Sequence, residues 1–181
     1  MHELRKDLLL GRWVAVLSES KAPSEYELVE NRDKESSCLL CTGHEEETPP
    51  EIISIRKPGT LSNASGWWVR AIPSFKPVFQ IEGDLGRRGV GIYDRMNSIG
   101  ANEVLIESPE HNLRAEDMGL EQMIRVVRLY RDRHVDLDKD KRLRYILIYK
   151  NSGKEAGEIF SHPISHLIVT PVIPKKVKDE L

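Results

Sequence analysis

The residues best suited to chemistry in this chain are two cysteines, Cys38 and Cys41, separated by two residues. A tight turn at this spacing places both thiolates on one side, where they can share a tetrahedral metal ion. The chain has no other cysteine, so a four-ligand site must take its remaining ligands from histidine or a carboxylate. A pair of free or redox-active thiols is the alternative interpretation.

Six histidines are available as ligands or catalytic groups. His111 lies in a predicted turn after an apolar segment, and His162 and His166 flank residues 163–165 just before a predicted final strand. Side chains alternate along a strand, so positions 162, 164 and 166 are predicted to face the same side. From spacing alone, a site that combines the two cysteines with His111 and His162 is one of several combinations.

The elements that must position these residues are mostly strands. Hydrophobic runs bounded by polar or turn residues predict strands at 12–17, 66–72, 77–81, 102–107, 144–149 and 167–173, with 144–149 buried. One helix is predicted over 116–135, with its apolar stripe formed by Leu120, Met123, Ile124, Val127 and Tyr130.

Residues 19–62 lack a regular pattern and contain both cysteines. A loop this long is unusual in a compact domain unless something holds it, and a metal ion would do so. Because strands outnumber helices, we expect an α+β fold: one domain over residues 1–181, with a mainly antiparallel sheet and helical cover.

The composition excludes several classes of function. The chain has 181 residues and a net charge of −2, from 27 basic and 29 acidic residues, so no electrostatic argument favours nucleic acid or an anionic membrane as a partner. No apolar run approaches the roughly 20 residues of a membrane span. The chain ends in Lys-Asp-Glu-Leu, the endoplasmic-reticulum retention signal, but it shows no entry signal, so a cytoplasmic location is predicted.

Several segments agree in order and spacing with one known family. They are Gly-Arg-Trp-Val at 11–14, Cys-Leu-Leu-Cys-Thr-Gly-His-Glu at 38–45, Thr-Pro-Pro-Glu-Ile at 48–52, Trp-Val-Arg-Ala-Ile-Pro at 68–73, Asn-Glu-Val-Leu-Ile-Glu-Ser-Pro-Glu-His at 102–111, and the block containing Asn151-Ser152-Gly153, Ala156-Gly157 and His162-Pro163. Together they resemble the N-terminal half of the galactose-1-phosphate uridylyltransferases, in the histidine-triad superfamily. The resemblance implies a histidine-triad-like fold and a setting in galactose metabolism.

The resemblance also implies a ligand set. The family's metal ligands fall on Cys38, Cys41, His111 and His162, and the expected ion is zinc or iron. An ion held by four protein ligands has no open position for a substrate, so the implied role is structural.

The family's reaction is a ping-pong nucleotidyl transfer in which a histidine attacks the α-phosphorus of a UDP-sugar. That histidine is the second in His-Pro-His-x-Gln, whereas residues 162–166 of this chain read His-Pro-Ile-Ser-His. Ile164 therefore occupies the nucleophile position, and its side chain has no lone pair with which to attack phosphorus.

Other positions expected to handle phosphate also differ from the family pattern. The differing residues are Ser20 for an arginine, Ser74 for an asparagine, Ile159 for a serine and His166 for the glutamine. Asn151 and Gly153 are retained, so part of the substrate cradle is expected to remain.

Three functions are consistent with these residues. The first is a catalytically degenerate relative that keeps its metal and binds a nucleotide or nucleotide sugar, a sugar phosphate or a partner. The second is an active nucleotidyltransferase or phosphohydrolase that uses His166, although His166 would lie about 6–7 Å along the strand from position 164. The third is a structural or interaction protein. The chain matches half of a two-half molecule, so sheet edges left open are expected to favour a homodimer.

Overall fold

Two antiparallel β-sheets and one long helix make up the fold in a computed structural model, which describes residues 2–18, 38–158 and 160–181. The strands are β1 (Glu3–Lys6), β2 (Trp13–Val16), β3 (Ile53–Arg56), β4 (Trp67–Pro73), β5 (Arg88–Val90), β6 (Tyr93–Asn97), β7 (Ala101–Ile106), β8 (Tyr145–Tyr149) and β9 (Ile164–Thr170). The helices are α1 (Leu120–Leu137) and α2 (Lys175–Glu180). The α+β class predicted from the sequence is confirmed.

The larger sheet has the strand order β3-β4-β7-β9-β8, and the smaller sheet has the order β2-β1-β6-β5. Alternation along the central strands of the larger sheet gives it two different faces. Leu105 and Leu167 belong to the core on the face that α1 covers. Val104 and Ile164 belong to a second core on the opposite face, which also contains both cysteines.

A glycine permits close packing where β7 begins. A Cβ atom placed on Gly100 would lie 2.1 Å from the backbone oxygen of Val169, and that oxygen has no freedom to move away. Only glycine therefore allows the chain to pass β9 at this point.

The apolar stripe predicted for α1 is wrong in part. Tyr130 packs against the core, but Leu120, Ile124 and Val127 are exposed. The buried residues of the helix are Val126, Leu129, Arg133 and Leu137. Apolar residues occur on two neighbouring stripes of this helix, so spacing alone does not choose between them. Arg133 decides the rotation, because its guanidinium donates to both carboxylate oxygens of buried Glu103 at 2.6 and 2.7 Å.

One predicted strand is absent, and another is present but less buried than predicted. Residues 77–81 form no strand, because the side-chain oxygen of Asn102 accepts hydrogen bonds from the backbone of Val78 and Phe79, and a single bridge joins Gln80 to Ile99. Strand β8 lies at an edge of its sheet and is only partly buried, contrary to the buried strand predicted at 144–149.

Other boundaries differ from the sequence prediction. The last strand begins at Ile164, three residues earlier than predicted, and α2 follows it. The predicted irregular loop contains β3, and β1 was missed. Residues 19–37 of that loop lie outside the described residues.

The rotation of α1 about its axis predicts that the same truncation, leucine to alanine, will change the free energy of unfolding by different amounts at two positions. Leu129→Ala should lower the free energy of unfolding by about 2–5 kcal/mol, because Leu129 is completely buried. Leu120→Ala, on the exposed side of the same helix, should change it by less than about 0.5 kcal/mol. Urea unfolding monitored by circular dichroism would test this, and equal losses would contradict the rotation described.

Candidate metal centre and adjacent cavity

The strand pair β7–β9 brings together two of the predicted metal ligands. Ile106 at the end of β7 pairs with Ile164 at the start of β9, and the backbone N–H of Glu107 donates to the oxygen of Pro163 at 2.9 Å. His111 follows β7 and His162 precedes β9, so antiparallel pairing places both histidines at the same end of the sheet. Both are almost completely buried.

The cysteines reach the same point from a separate loop. Cys41 donates its backbone N–H to the oxygen of Cys38 at 3.2 Å, which closes the turn that aligns the two thiols. The ligand atoms of Cys38, Cys41, His111 and His162 all lie within 4.8 Å of one another. The structure thus assembles the four residues that the sequence implied.

The distances within this cluster fit a tetrahedral ion. Cys41 Sγ lies 3.4 Å from His111 Nδ1 and 3.7 Å from His162 Nδ1, and Cys38 Sγ lies 3.7 Å from His162 Nδ1. With metal–sulfur bonds of about 2.3 Å and metal–nitrogen bonds of about 2.0–2.1 Å, tetrahedral geometry requires a sulfur–nitrogen separation of about 3.6 Å. The cluster could therefore hold a metal ion without rearrangement.

His162 is held in the form that a metal ion needs. Its Nε2 donates to the backbone oxygen of Ser108 at 2.8 Å, which leaves Nδ1 without a proton and facing the thiols. Burial lowers the pKa of His162 to about 4, so its ring is neutral near neutral pH. Nε2 of His111 is buried and has no hydrogen-bond partner among the described residues, so Nδ1 is its only paired ring nitrogen there.

Side chains behind the cysteine loop attach it to the sheet. Glu45 accepts a 2.7 Å hydrogen bond from Trp67 Nε1 and a 2.9 Å bond from the backbone of Gly43. Burial opposes ionisation of Glu45, but these bonds and the charge of Arg70 lower its pKa. Arg70 also pairs with Glu51 at 3.1 Å, so buried charges attach the part of the loop that follows the cysteines to the sheet.

A cavity of about 750 Å³ adjoins the metal centre. Its wall contains both histidine ligands and the loop after β8. Among the other lining residues are Arg114, Glu116, Lys150, Asn151, Gly153, Glu158 and Ile164. The predicted substrate residues Asn151 and Gly153 therefore lie together beside the position expected for the nucleophile.

Residues 75–173 match the family model described as galactose-1-phosphate uridyl transferase, N-terminal domain. The chain belongs to this family. It is 32% identical to a galactose-1-phosphate uridylyltransferase of Thermotoga maritima over 98% of its own length and 49% of that protein. It is 28% identical to an ADP-glucose phosphorylase of Arabidopsis thaliana over 99% of its length and 51% of that protein.

The fold is similar to that of a solved member. A crystal structure of the Arabidopsis thaliana ADP-glucose phosphorylase with bound ADP-glucose superposes with a TM-score of 0.64 at 26% identity, over 98% of this chain and 51% of that one. The chain thus spans about half the length of the curated relatives it matches. Within the described residues, no helix is both long enough and apolar enough to cross a membrane.

Ile164, the residue at the position predicted for the nucleophile, is buried, with only 5% of its surface exposed. It packs in the same cluster as Val104, Ile106, Phe160 and the cysteines. Its side chain therefore contributes to the core behind the cavity and offers no group for attack on phosphorus.

The other predicted site residues are dispersed. His166 stacks on Tyr149 with ring centroids 5.2 Å apart and does not line the cavity. Ser74 also lies outside it, and its backbone pairs with Asn102, which is opposite Ile168 in the sheet. Ser20 and Ile159 lie outside the described residues.

A buried polar network beside the cavity was missed in the sequence. Glu107, just after β7, accepts hydrogen bonds from the hydroxyls of Tyr130 and Ser165 and from Lys150 Nζ, each at 2.5 Å. Lys150 also donates to the backbone oxygen of Ile164 at 3.0 Å. Burial and the nearby Glu107 carboxylate raise the pKa of Tyr130, so it remains a neutral donor. The sequence feature that could have indicated this network is an acidic residue directly after an apolar strand.

Metal analysis tests the ligand set. The purified protein should contain about one metal ion per chain, and His111→Ala should lose it and unfold at a lower temperature, because the remaining thiolates would be left without a complete coordination sphere. His44→Ala is the matched control: His44 lies in the cysteine loop but pairs with Glu47 at 2.8 Å, outside the cluster. A metal-free protein that melts like the loaded one would exclude the site.

The lowered pKa of His166 predicts that the folded protein loses stability as the solution becomes more acidic. Burial lowers its pKa, so below the ordinary histidine pKa the unfolded chain binds a proton that the folded chain does not, and stability falls as the pH falls. His166→Gln should therefore lose less stability than the native chain between about pH 7 and pH 5. Chemical unfolding at several pH values measures the difference, and parallel curves would refute the assignment.

Proposed function

We propose that this chain is a metal-stabilised family member that binds a nucleotide sugar or a sugar phosphate without forming a covalent nucleotidyl intermediate. The observation that carries the proposal is Ile164, which is buried in the core at the edge of a cavity whose Asn151 and Gly153 are retained. The bound sugar nucleotide in the Arabidopsis relative supports this class of ligand.

The charges in the cavity support binding without transfer. Lys150 and Arg114 are offset by Glu116 and Glu158, so these four side chains carry no net positive charge. The backbone N–H of Gly153 donates to the Glu158 carboxylate at 2.6 Å, and a phosphate would need to displace it. The cavity therefore offers less electrostatic stabilisation to a phosphate group than a transfer reaction requires.

Catalysis by His166 is the second candidate, and its neutral ring supports it. A base or nucleophile must come within about 3–3.5 Å of the reacting atom. His166 lies two residues along β9 from Ile164, a distance of about 6–7 Å, and is stacked against Tyr149. The first proposal is favoured for this reason.

We further propose that the ion is zinc, because two thiolates and two imidazoles at tetrahedral spacing are its usual structural ligands. We also retain the proposal of a homodimer. Strands β3 and β8 form the two ends of the larger sheet within the described residues, and such edges are natural pairing sites.

Calorimetric titration and labelling test the proposed function together. UDP-glucose or ADP-glucose should bind the native chain, and Asn151→Ala should weaken that binding about tenfold by removing one hydrogen-bonding side chain. After incubation with a nucleotide sugar radiolabelled in its α-phosphate, the native chain should carry no label. Ile164→His should become labelled, because the histidine would restore the missing nucleophile beside the cavity.

The outcomes separate the candidates. A label on the native chain that disappears in His166→Ala would replace our proposal with the His166 mechanism. No binding of either nucleotide sugar or of a sugar phosphate would instead favour a role in protein interaction. Lys139→Ala, on the exposed part of the chain after α1, serves as the binding control.

A further inference from the structure

The smaller sheet carries three arginines side by side on one face. Arg5 on β1 pairs directly with Arg95 on β6, and Arg95 pairs directly with Arg88 on β5. Residues directly opposite each other in neighbouring strands project to the same side, about 5 Å apart. We call these three residues the arginine row. Like charges in this arrangement destabilise a sheet unless an anion lies between them.

The arginine row lies on the outer face of the smaller sheet. Leu4 and Met96, which alternate with row residues on the same strands, are buried on the inner face. The side chains of Arg5 and Arg88 are 46% and 43% exposed, and that of Arg95 is 29% exposed. The guanidinium groups are therefore open to a ligand from solution.

The carboxylate of Glu3 lies close to all three arginines of the row. Glu3 lies 3.1 Å from Arg5 Nη2, 2.5 Å from Arg88 Nη2 and 3.7 Å from Arg95 Nη1. The last distance is too long for a hydrogen bond. One negative charge against three positive charges leaves an excess of two positive charges among these four side chains.

Arg95, at the centre of the row, is the least satisfied of the three. Its Nε is buried and has no hydrogen-bond partner among the described residues, and the long ion pair with Glu3 is its one recorded polar contact there. The side chain is nevertheless 29% exposed, so its remaining N–H groups can donate to a bound acceptor. The unsatisfied donor lies where the positive charge is greatest.

We propose that the arginine row is a binding site for a small phosphate-bearing anion. A phosphoryl group offers three acceptor oxygens and a charge near −2, whereas Glu3 offers two oxygens and −1. Arginine matches phosphate oxygens through paired N–H donors. Three guanidiniums on adjacent strands fit one such group better than an extended acidic peptide, whose charges would be spread along a strand. This site is separate from the cavity beside Ile164 and does not rest on the proposed function.

Two substitutions with opposite expected effects test the site. Titration with inorganic phosphate at constant ionic strength should show binding to the native chain, and Arg95→Gln should weaken it at least about tenfold by removing the central cation. Glu3→Gln should strengthen it several-fold, because it removes the carboxylate that competes for the same guanidiniums. The melting temperature of Glu3→Gln should also rise more with phosphate than that of the native chain.

The control variants each remove a positive charge that lies outside the arginine row. Lys6→Gln removes one positive charge from β1 but on the opposite face, where Lys6 pairs with Asp94 at 3.3 Å, and should leave phosphate binding unchanged. Lys139→Gln, which removes an exposed positive charge from the chain after α1, should also leave it unchanged.

Three results would overturn the proposal: phosphate binding equal to that of chloride, an equal loss in Lys6→Gln, or weaker phosphate binding in Glu3→Gln. Circular dichroism of Arg95→Gln without phosphate checks that the variant is folded. Glucose 1-phosphate, titrated in parallel, distinguishes free phosphate from a phosphomonoester as the ligand. Binding of either through the row supports the site.

Discussion

The antiparallel pairing of β7 with β9 is the interaction on which the rest of this molecule depends. It places the turn after β7 against the turn before β9, and these two turns supply both histidines of the metal centre. The same pairing sets which side chains face α1 and which face the cysteine loop. Gly100 allows the two strands to remain in contact at the other end of the pair. A shift of one residue would exchange the faces, so the register fixes core and metal ligands together.

The side chains on the two faces of β9 have different roles. Ser165 points toward the α1 side, where it joins Tyr130 and Glu107 in a buried network that holds Lys150 beside the cavity. Ile164 points the other way, into the core that encloses the cysteines. The residues of the buried network are thus distinct from Ile164, the residue at the position predicted for the nucleophile. The side chain of Ile164 makes no hydrogen bond in the buried network and is not one of the metal ligands.

Much of the site was predictable because its residues are tied to short motifs. The spacing of Cys38 and Cys41, and the turns around His111 and His162, are local features that the family resemblance identifies directly. The rotation of α1 was not predictable from spacing, since it depends on an ion pair between Arg133 and Glu103, thirty positions apart. Strand β1 was missed because four residues with three charges among them carry little hydrophobic pattern.

Buried polar groups were the hardest features to predict. Glu107, Arg70 and Glu45 all have charged side chains that composition assigns to the surface, yet each is buried and paired with a residue distant in sequence. Their partners come from other strands and loops, so no local window of sequence contains both members of a pair. The arginine row was unpredictable for the same reason, because Arg5, Arg88 and Arg95 become neighbours only when three strands align.

The burial of Ile164 also bears on the stability of the chain. An isoleucine packed this completely contributes about 1.5–3 kcal/mol through its apolar surface alone. A histidine in the same place would lose that contribution and would bury ring nitrogens among apolar neighbours. Natural proteins have only a narrow margin of stability, so a histidine at position 164 would use up a substantial part of it. The burial of Ile164 thus links the stability of the core around the cysteines to the absence of a histidine from this position.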